Sequence, residues 1–296
     1  MNETEATNDL TYQRLDMEAK MIVVTGAAGR LGRRVVQLLS EQGREVLATD
    51  QVETDDLPVE FVRCDLGNAE AVHDILEGAE AIVHMGAIPG PLRAEPRAIF
   101  ENNATADFNV MMSAAELGLR RVVFSSSAFG MGWAHDGNAF VPRYLPLDEE
   151  HPMMPFEPYG LTKQVGEDIG RMIARSTGTT VVSLRFTNVA LSEVQAEFPW
   201  PAPTPEKPLT LVMWAYADAR DVAEAHVLAL DAEIEEYEAF MLAQPSSRFA
   251  EPTIDIVRRN FGDRVEIREG MTGVASVIST EKTQRMLGWR PLHDWR

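Results

Sequence analysis

The chain is short of positive charge and of cysteine. Of its 296 residues only four are lysine (Lys20, Lys163, Lys207 and Lys282), and the formal net charge is −19. Nucleic acid and anionic membrane both call for positive patches, so neither is expected as a partner. Cys64 stands alone. No intrachain disulfide can form, and a reducing, cytoplasmic setting is the default expectation. No apolar run is long enough to span a membrane, and the opening MNETEATNDLTYQRLDMEAK has no apolar core of the signal-peptide kind. Internal repeats and low-complexity tracts are missing too, and no metal site is expected. The acid-rich, lysine-poor balance has two open sources, a salt-loving organism or a GC-rich genome.

What is present is a regular alternation. KMIVVT reads as a strand, followed by a glycine-punctuated turn and a helical pattern ending at Gly43. REVLATD, VEFVRCD, EAIVHMGA, RRVVFSSS and TTVVSLRF read as five further strands, with helices over 68–77, 95–118 and 158–177. Strands that alternate with helices imply right-handed crossovers and a parallel sheet covered on both faces, so the fold class is α/β, a Rossmann-type doubly wound sheet. Residues 1–19 are expected to form a loose tail, 20–190 the nucleotide-binding core, and 191–296 mainly a small C-terminal substrate-binding lobe, one helix and strand of which return to the core. Within that lobe EFPWPAPTPEKP, 197–208, is too rich in proline for a long helix or a central strand. It reads as a loop or lid over a site.

Thr25-Gly26-Ala27-Ala28-Gly29-Arg30-Leu31-Gly32 joins the first strand to the first helix. Gly26 permits the tight turn, Gly29 close approach of a pyrophosphate, and Gly32 packing of helix on strand. Arg30 and Leu31 open the helix, whose free N–H groups and dipole favour phosphate. Strand, turn and helix are the context that a dinucleotide-binding motif requires. Asp50 ends the second strand, where a carboxylate accepts from a ribose diol and repels a 2′-phosphate. NAD is therefore expected over NADP, although Arg30, Arg33 and Arg34 lie close enough in sequence to receive a phosphate.

Tyr159 stands four residues before Lys163 in EPYGLTKQVGEDIG. Leu161, Val165, Ile169 and Ile173 recur every four residues, so Tyr159 and Lys163 share a helix face. An ammonium held near a phenol favours the phenolate and lowers the tyrosine pKa from about 10. Such a tyrosine can pass a proton to or from a carbinol oxygen.

Taken together, TGAAGRLG (25–32), Asp50, CDL (64–66), VHMGA (83–87), NATADFNV (103–110), FSSSAFGMG (124–132), YGLTK (159–163) and LRFTNV (184–189) make the chain resemble the extended short-chain dehydrogenase/reductases. This is the NAD-dependent epimerase/dehydratase group, and in character the chain is nearest its shorter sugar and uronate dehydrogenases. The resemblance implies Asp65 and Leu66 beside the adenine, Gly86 and Ala87 against the cofactor, and Ser125 among the cofactor contacts. It implies Asn103 as the structural asparagine of the catalytic group and Ser127 as the hydrogen-bonding partner of the substrate oxygen. Tyr159 would be the acid/base, and Lys163 would tune it and hold the nicotinamide ribose. Ser127 is preferred to Ser125 and Ser126 because Gly132, five residues on, matches the glycine that ends the family's serine motif.

Departures narrow the expectation. No carboxylate follows Ser127, where dehydratases of the group carry an acidic pair. Only residues 190–213 separate LRFTNV from WAYADARDV, and that segment holds one lysine and no arginine, a poor clamp for a nucleotide diphosphate. A small sugar-like substrate is expected, oxidised with NAD; nucleotide-sugar 4-epimerisation with tightly bound NAD is the alternative. Arg185, Arg220 and Arg248 are candidates to meet an acid group. Trp133, His135, Trp200 and Trp214 are candidates to line the pocket, with packing as their ordinary role. By resemblance a homodimer is expected, with Gly166 and Gly170 allowing another helix to approach the Tyr159 helix.

Overall fold

The computed structural model describes residues 21–296 apart from Asn138; the expected tail, 1–19, lies outside the described residues. Seven parallel strands form the central sheet: β1 (Met21–Thr25), β2 (Val46–Asp50), β3 (Glu60–Arg63), β4 (Ala79–His84), β5 (Arg121–Ser127), β7 (Thr180–Phe186) and β10 (Tyr237–Leu242). Their order is β10-β7-β5-β4-β1-β2-β3. The chain thus starts in the middle of the sheet, winds outward to β3, then returns past β1 to build the other half. That reversal between β1 and β4 opens a crevice at the carboxyl ends of the strands, where ligands of such sheets bind.

Helix α1 (Arg30–Glu41) and helix α5 (Ala219–Asp231) cover one face of the sheet, burying Val35, Val36, Leu39, Val222, Ala225 and Leu230 against Ile22, Val24 and Val83. Helices α2 (Ala69–Leu76), α3 (Pro96–Glu116) and α4 (Pro158–Thr177) cover the other, with Val72, Leu76, Val110, Met111 and Ile173 on Val23, Ile82 and Val122. The inner strands are apolar runs buried on both faces, as parallel packing demands. Edge strand β3 departs from this: Glu60, Val62 and Arg63 are exposed.

A second apolar cluster gathers Met131, Trp133, Phe140, Leu145, Val212, Trp214, Phe249, Ile256 and Phe261. It draws on the segment after β5 with β6 (Tyr144–Leu145), and on the chain beyond β7 with helix α6 (Thr253–Phe261). β6 pairs with β11 (Glu266–Ile267) and β8 (Val189–Ala190) with β9 (Ala217–Asp218), while Leu287 of helix α7 (Glu281–Leu287) packs in the first cluster. Residues 198–210 carry no helix or ladder strand. Among the described residues no helix is long and apolar enough to cross a membrane.

Candidate active site

A cleft of about 380 Å³ runs along the crevice. Gly26, Gly29, Arg30, Leu31 and Gly32 form its floor, Asp50, Asp65 and Leu66 one end, and Gly86, Ala87, Ser125, Ser127, Tyr159 and Lys163 the other. The glycines fit a pyrophosphate cradle. Gly26 has φ +67°, and a Cβ there would lie 2.8–2.9 Å from the backbone of Met85 and Gly86. At Gly32 it would lie 2.2 Å from the Gly26 carbonyl, so any side chain would push α1 off the turn that it closes. Asp50 is fixed by two backbone donors, Ala28 N at 3.1 Å and Val52 N at 3.0 Å, with its carboxylate on the cleft wall. Arg33, a candidate for a 2′-phosphate, is committed: it donates to Asp56, to Thr54 Oγ1 at 3.0 Å and to the Ala28 carbonyl at 2.9 Å. Asp50 and Asp65 put carboxylate on this end of the cleft, which also holds Arg30.

Strand β5 delivers the serines. Alternation sends Ser125 and Ser127 to one face and Ser126 to the other, where its hydroxyl donates to Glu167 Oε1 at 2.7 Å. Ser127 Oγ accepts from Phe129 N at 3.1 Å and reaches the Phe186 carbonyl at 3.5 Å, on the same cleft wall as the Tyr159 phenol. Ser125 Oγ lies 2.8 Å from His226 Nε2, while His226 Nδ1 lies 2.8 Å from the Val222 carbonyl. A carbonyl only accepts, so Nδ1 carries the proton and Ser125 donates to Nε2. What Ser125 can still offer the cleft is lone pairs. Burial holds His226 neutral by pushing its pKa down to about 4.

Tyr159 and Lys163 both line the cleft, and Phe129 meets the tyrosine ring edge-on. The Lys163 ammonium sits 4.8 Å from the Phe124 ring centroid and 5.8 Å from that of Tyr159. The expected lowering of the tyrosine pKa is not found in the chain by itself. Burial, the larger effect, pushes the phenol up to about 12, with Ser127 acting the other way. Burial likewise pulls Lys163 down, opposed by Asp107 and Glu167. The sequence argument counted the nearby charge and left out desolvation.

Asn103 does not line the cleft. Its amide grips Ile88, accepting from the backbone N at 2.8 Å and donating to the carbonyl at 3.1 Å, and reaches Thr162 Oγ1 at 3.5 Å. It thereby ties the loop after β4 to α4, one residue before Lys163. Beside it runs a buried chain that sequence reasoning missed. Thr25 Oγ1 accepts from Met85 N and Gly86 N at 3.0 and 3.1 Å, so both lone pairs are used and its proton goes to His84 Nδ1 at 2.8 Å. The His84 proton is then on Nε2 and points at Asp107 Oδ1, 3.0 Å away. Asp107 Oδ2 has no hydrogen-bond partner among the described residues; the carboxylate that attracts Lys163 is anchored through this chain to the glycine turn.

Helix α4 corrects two further expectations. Leu161 is 40 % exposed, and the buried face carries Tyr159, Thr162, Lys163, Gly166, Glu167 and Gly170. Gly166 and Gly170 do allow close approach, but to this chain's own groups. A Cβ at Gly166 would meet Phe124 at 2.5 Å and Asp107 at 2.7 Å, and one at Gly170 would meet Val181 at 2.9 Å. Of the candidate aromatics, none of Trp133, His135, Trp200 and Trp214 lines the cleft; Phe129, Phe186, Thr187, Asn188, Val189 and Leu191 do. LRFTNV was the signal for the middle of this wall. Arg185 is locked by Glu167, Nε to Oε1 and Nη2 to Oε2 both at 2.7 Å, and Arg220 by Asp218 at 2.8–2.9 Å.

Comparison with known proteins agrees with this geometry. The family model described as "NAD dependent epimerase/dehydratase family" matches residues 22–199. A putative UDP-glucose 4-epimerase of Methanocaldococcus jannaschii is 30 % identical over 177 residues, 57 % of this chain and 56 % of that protein, so the chain spans about half the length of that relative. A UDP-glucose 4-epimerase of Streptococcus mutans is 24 % identical over 92 % of both chains. The crystal structure of a short-chain dehydrogenase/reductase superfamily protein from Agrobacterium tumefaciens, with bound NAD, superposes with a TM-score of 0.72 at 26 % identity, covering 93 % of each chain. The chain belongs to the NAD-dependent epimerase/dehydratase family, within the extended short-chain dehydrogenase/reductases, and its cofactor is NAD.

Proposed function

We propose that the chain is a dehydrogenase that oxidises a secondary hydroxyl of a small sugar-like substrate, with Tyr159 as acid/base. The observation that carries the reading is the meeting of Ser127, Tyr159 and Lys163 on one wall of the cleft that the glycine turn floors. Bound NAD supplies the hydride acceptor, held by Gly26, Gly29, Arg30, Leu31, Gly32, Asp50, Asp65, Leu66, Gly86, Ala87, Ser125 and Lys163. Ser127 holds the substrate oxygen against the phenol. Tyr159, as phenolate, takes the hydroxyl proton while the carbinol carbon loses its hydride; in the reverse direction the neutral phenol returns that proton. Lys163 stabilises the phenolate, and Asn103 fixes the backbone around it. Because burial raises the phenol to about 12, alcohol oxidation should climb through the alkaline range, where the base form appears.

The relatives' names favour a second reading, 4-epimerisation of a nucleotide sugar. The short 190–213 segment, with its single lysine, supports the first. NADH absorbance separates them: net NADH from free sugars, uronates or sugar phosphates means dehydrogenation, and epimerised nucleotide sugar without net NADH means the second. A homodimer is part of the proposal. Phe100 and Phe108 on α3 and Leu161 and Met172 on α4, the helix that carries Tyr159, are 37–47 % exposed. The single, buried Cys64 suits a reducing cytoplasm.

A further inference from the structure

Three arginines stood out as partners for an acid group, and the structure separates them. Arg185 and Arg220 each have a carboxylate. Among the described residues Arg248 has none, although it is wholly buried. Nε, Nη1 and Nη2 are all shut away from solvent and have no hydrogen-bond partner among the described residues. Its guanidinium carbon lies 4.2 Å from the Trp200 ring centroid and 5.9 Å from that of Phe198. Stacking on an aromatic face satisfies the flat side of a guanidinium and leaves its in-plane N–H donors unspent. A buried cation without a partner is among the costliest arrangements a fold can keep, and desolvation already pulls this pKa down to about 10.

The position is next to the catalytic wall. Asn188, Val189 and Ala219 line the cleft. Val189 and Ala190 pair with Ala217 and Asp218. The Gln244 and Arg248 amides then donate to the carbonyls of Tyr216 and Trp214 at 2.7 and 3.2 Å. Arg248 is thus joined to the cleft wall through the 214–218 segment, whose Trp214 it bonds and whose Ala217 pairs with Val189. The segment that covers it starts in the same wall: Leu191 lines the cleft, and the chain then runs to Phe198 and Trp200, where Trp200 N donates to the Arg248 carbonyl at 2.9 Å.

We propose that Arg248 anchors an oxyanion subsite of the substrate lobe, roofed by Phe198 and Trp200, which takes the carboxylate or phosphate of an acidic sugar derivative while its carbinol lies at Tyr159. The proposal rests on the dehydrogenase reading for what happens at Tyr159, and not for the binding itself. Its test is therefore a binding experiment. The full chain is titrated with inorganic phosphate, D-glucuronate and D-glucose, following the melting temperature and tryptophan emission, and the same is done with Arg248→Met and Arg248→Lys. The expected result is a saturable response to phosphate, glucuronate or both, and none to glucose. The tighter of the two names the acid group. Arg248→Lys should weaken it at least tenfold. Arg248→Met should abolish it and, having lost an uncompensated buried charge, should melt above the parent in the absence of anion. A wild-type response that is absent, or equal for glucose, overturns the proposal, as does full affinity in Arg248→Lys, which keeps the charge and is the deciding variant if Arg248→Met does not fold. NADH formation is measured alongside. Failure of every compound to reduce NAD would remove the dehydrogenase reading and leave an anion response standing. Turnover of neutral sugars without any anion response would remove the subsite alone.

Discussion

Single side chains set the electrostatics of this cleft, and burial outweighs nearby charge in several of them. His226 shows the consequence for stability. Its pKa in the folded chain is pushed down to about 4 from an ordinary 6.5, so on acidification the unfolded chain binds the proton first. The stability that neutral His226 contributes is complete above pH 6.5 and is lost as the pH falls from there towards 4, by up to about 3 kcal/mol. His151, also pulled down by burial, acts with the same sign. Glu149 and Glu157, which burial pushes up, act with the opposite sign at the acid end. Comparing His226→Gln with the parent isolates the one term. The parent's melting temperature should fall more steeply between pH 6.5 and 4, and parallel curves would contradict the assignment. Ser127 was singled out by the family's serine motif through Gly132; strand alternation, which turns Ser126 away to Glu167, was not used in that choice. The Thr25–His84–Asp107 chain was not legible. Its members are 59 and 23 positions apart, and nothing in local periodicity brings them together.

Among the elements, α4 carries most of the chemistry and was half read. Its limits, Pro158 to Thr177, follow from proline at the first turn and glycine at the end. Its buried face was half read: of Leu161, Val165, Ile169 and Ile173, marked by apolar spacing, Ile173 is buried and Ile169 packs partly buried, while Leu161 is exposed. The face that packs inward also uses glycine where it crosses Phe124 and Val181, and the fully buried Glu167 where Arg185, Ser126 and Tyr237 satisfy it. A charge paired inside the fold looks, in sequence, like a surface charge. Gly166→Ala tests this packing. Alanine favours a helix by about 1 kcal/mol over glycine, but here its Cβ would stand 2.5 Å from Phe124 and 2.7 Å from Asp107. Overpacking of this kind costs about 1–3 kcal/mol and should win, lowering the melting temperature by a few degrees. A rise would mean that Phe124 and Asp107 yield freely. The glycine turn of α1, by contrast, was read correctly from sequence alone, since close backbone approach leaves no alternative residue at Gly26 or Gly32.

At the scale of the whole molecule, charge and apolar surface oppose each other. Each chain carries −19, so two copies repel, while the exposed side chains of Phe100, Phe108, Leu161 and Met172 favour association. Screening weakens the repulsion over about 10 Å at 0.1 M salt and about 3 Å at 1 M. The share of chain at twice the 32.9 kDa mass in light scattering should therefore rise with salt, and Phe108→Glu should reduce it. A monomer at every salt concentration would contradict the proposed dimer. The parallel, doubly wound sheet was legible, since alternating strands and helices admit few topologies. The second apolar cluster was not, because its members come from segments far apart in the chain. The central claim is that Tyr159 exchanges a proton with a substrate hydroxyl in an NAD-dependent oxidation. The most direct measurement is NADH absorbance with NAD and a panel of free sugars, uronates and sugar phosphates, for the parent and Tyr159→Phe. The account predicts NADH formation with at least one compound, lowered about 10²- to 10⁴-fold in the variant; equal rates in both, or no NADH with any compound, would contradict it.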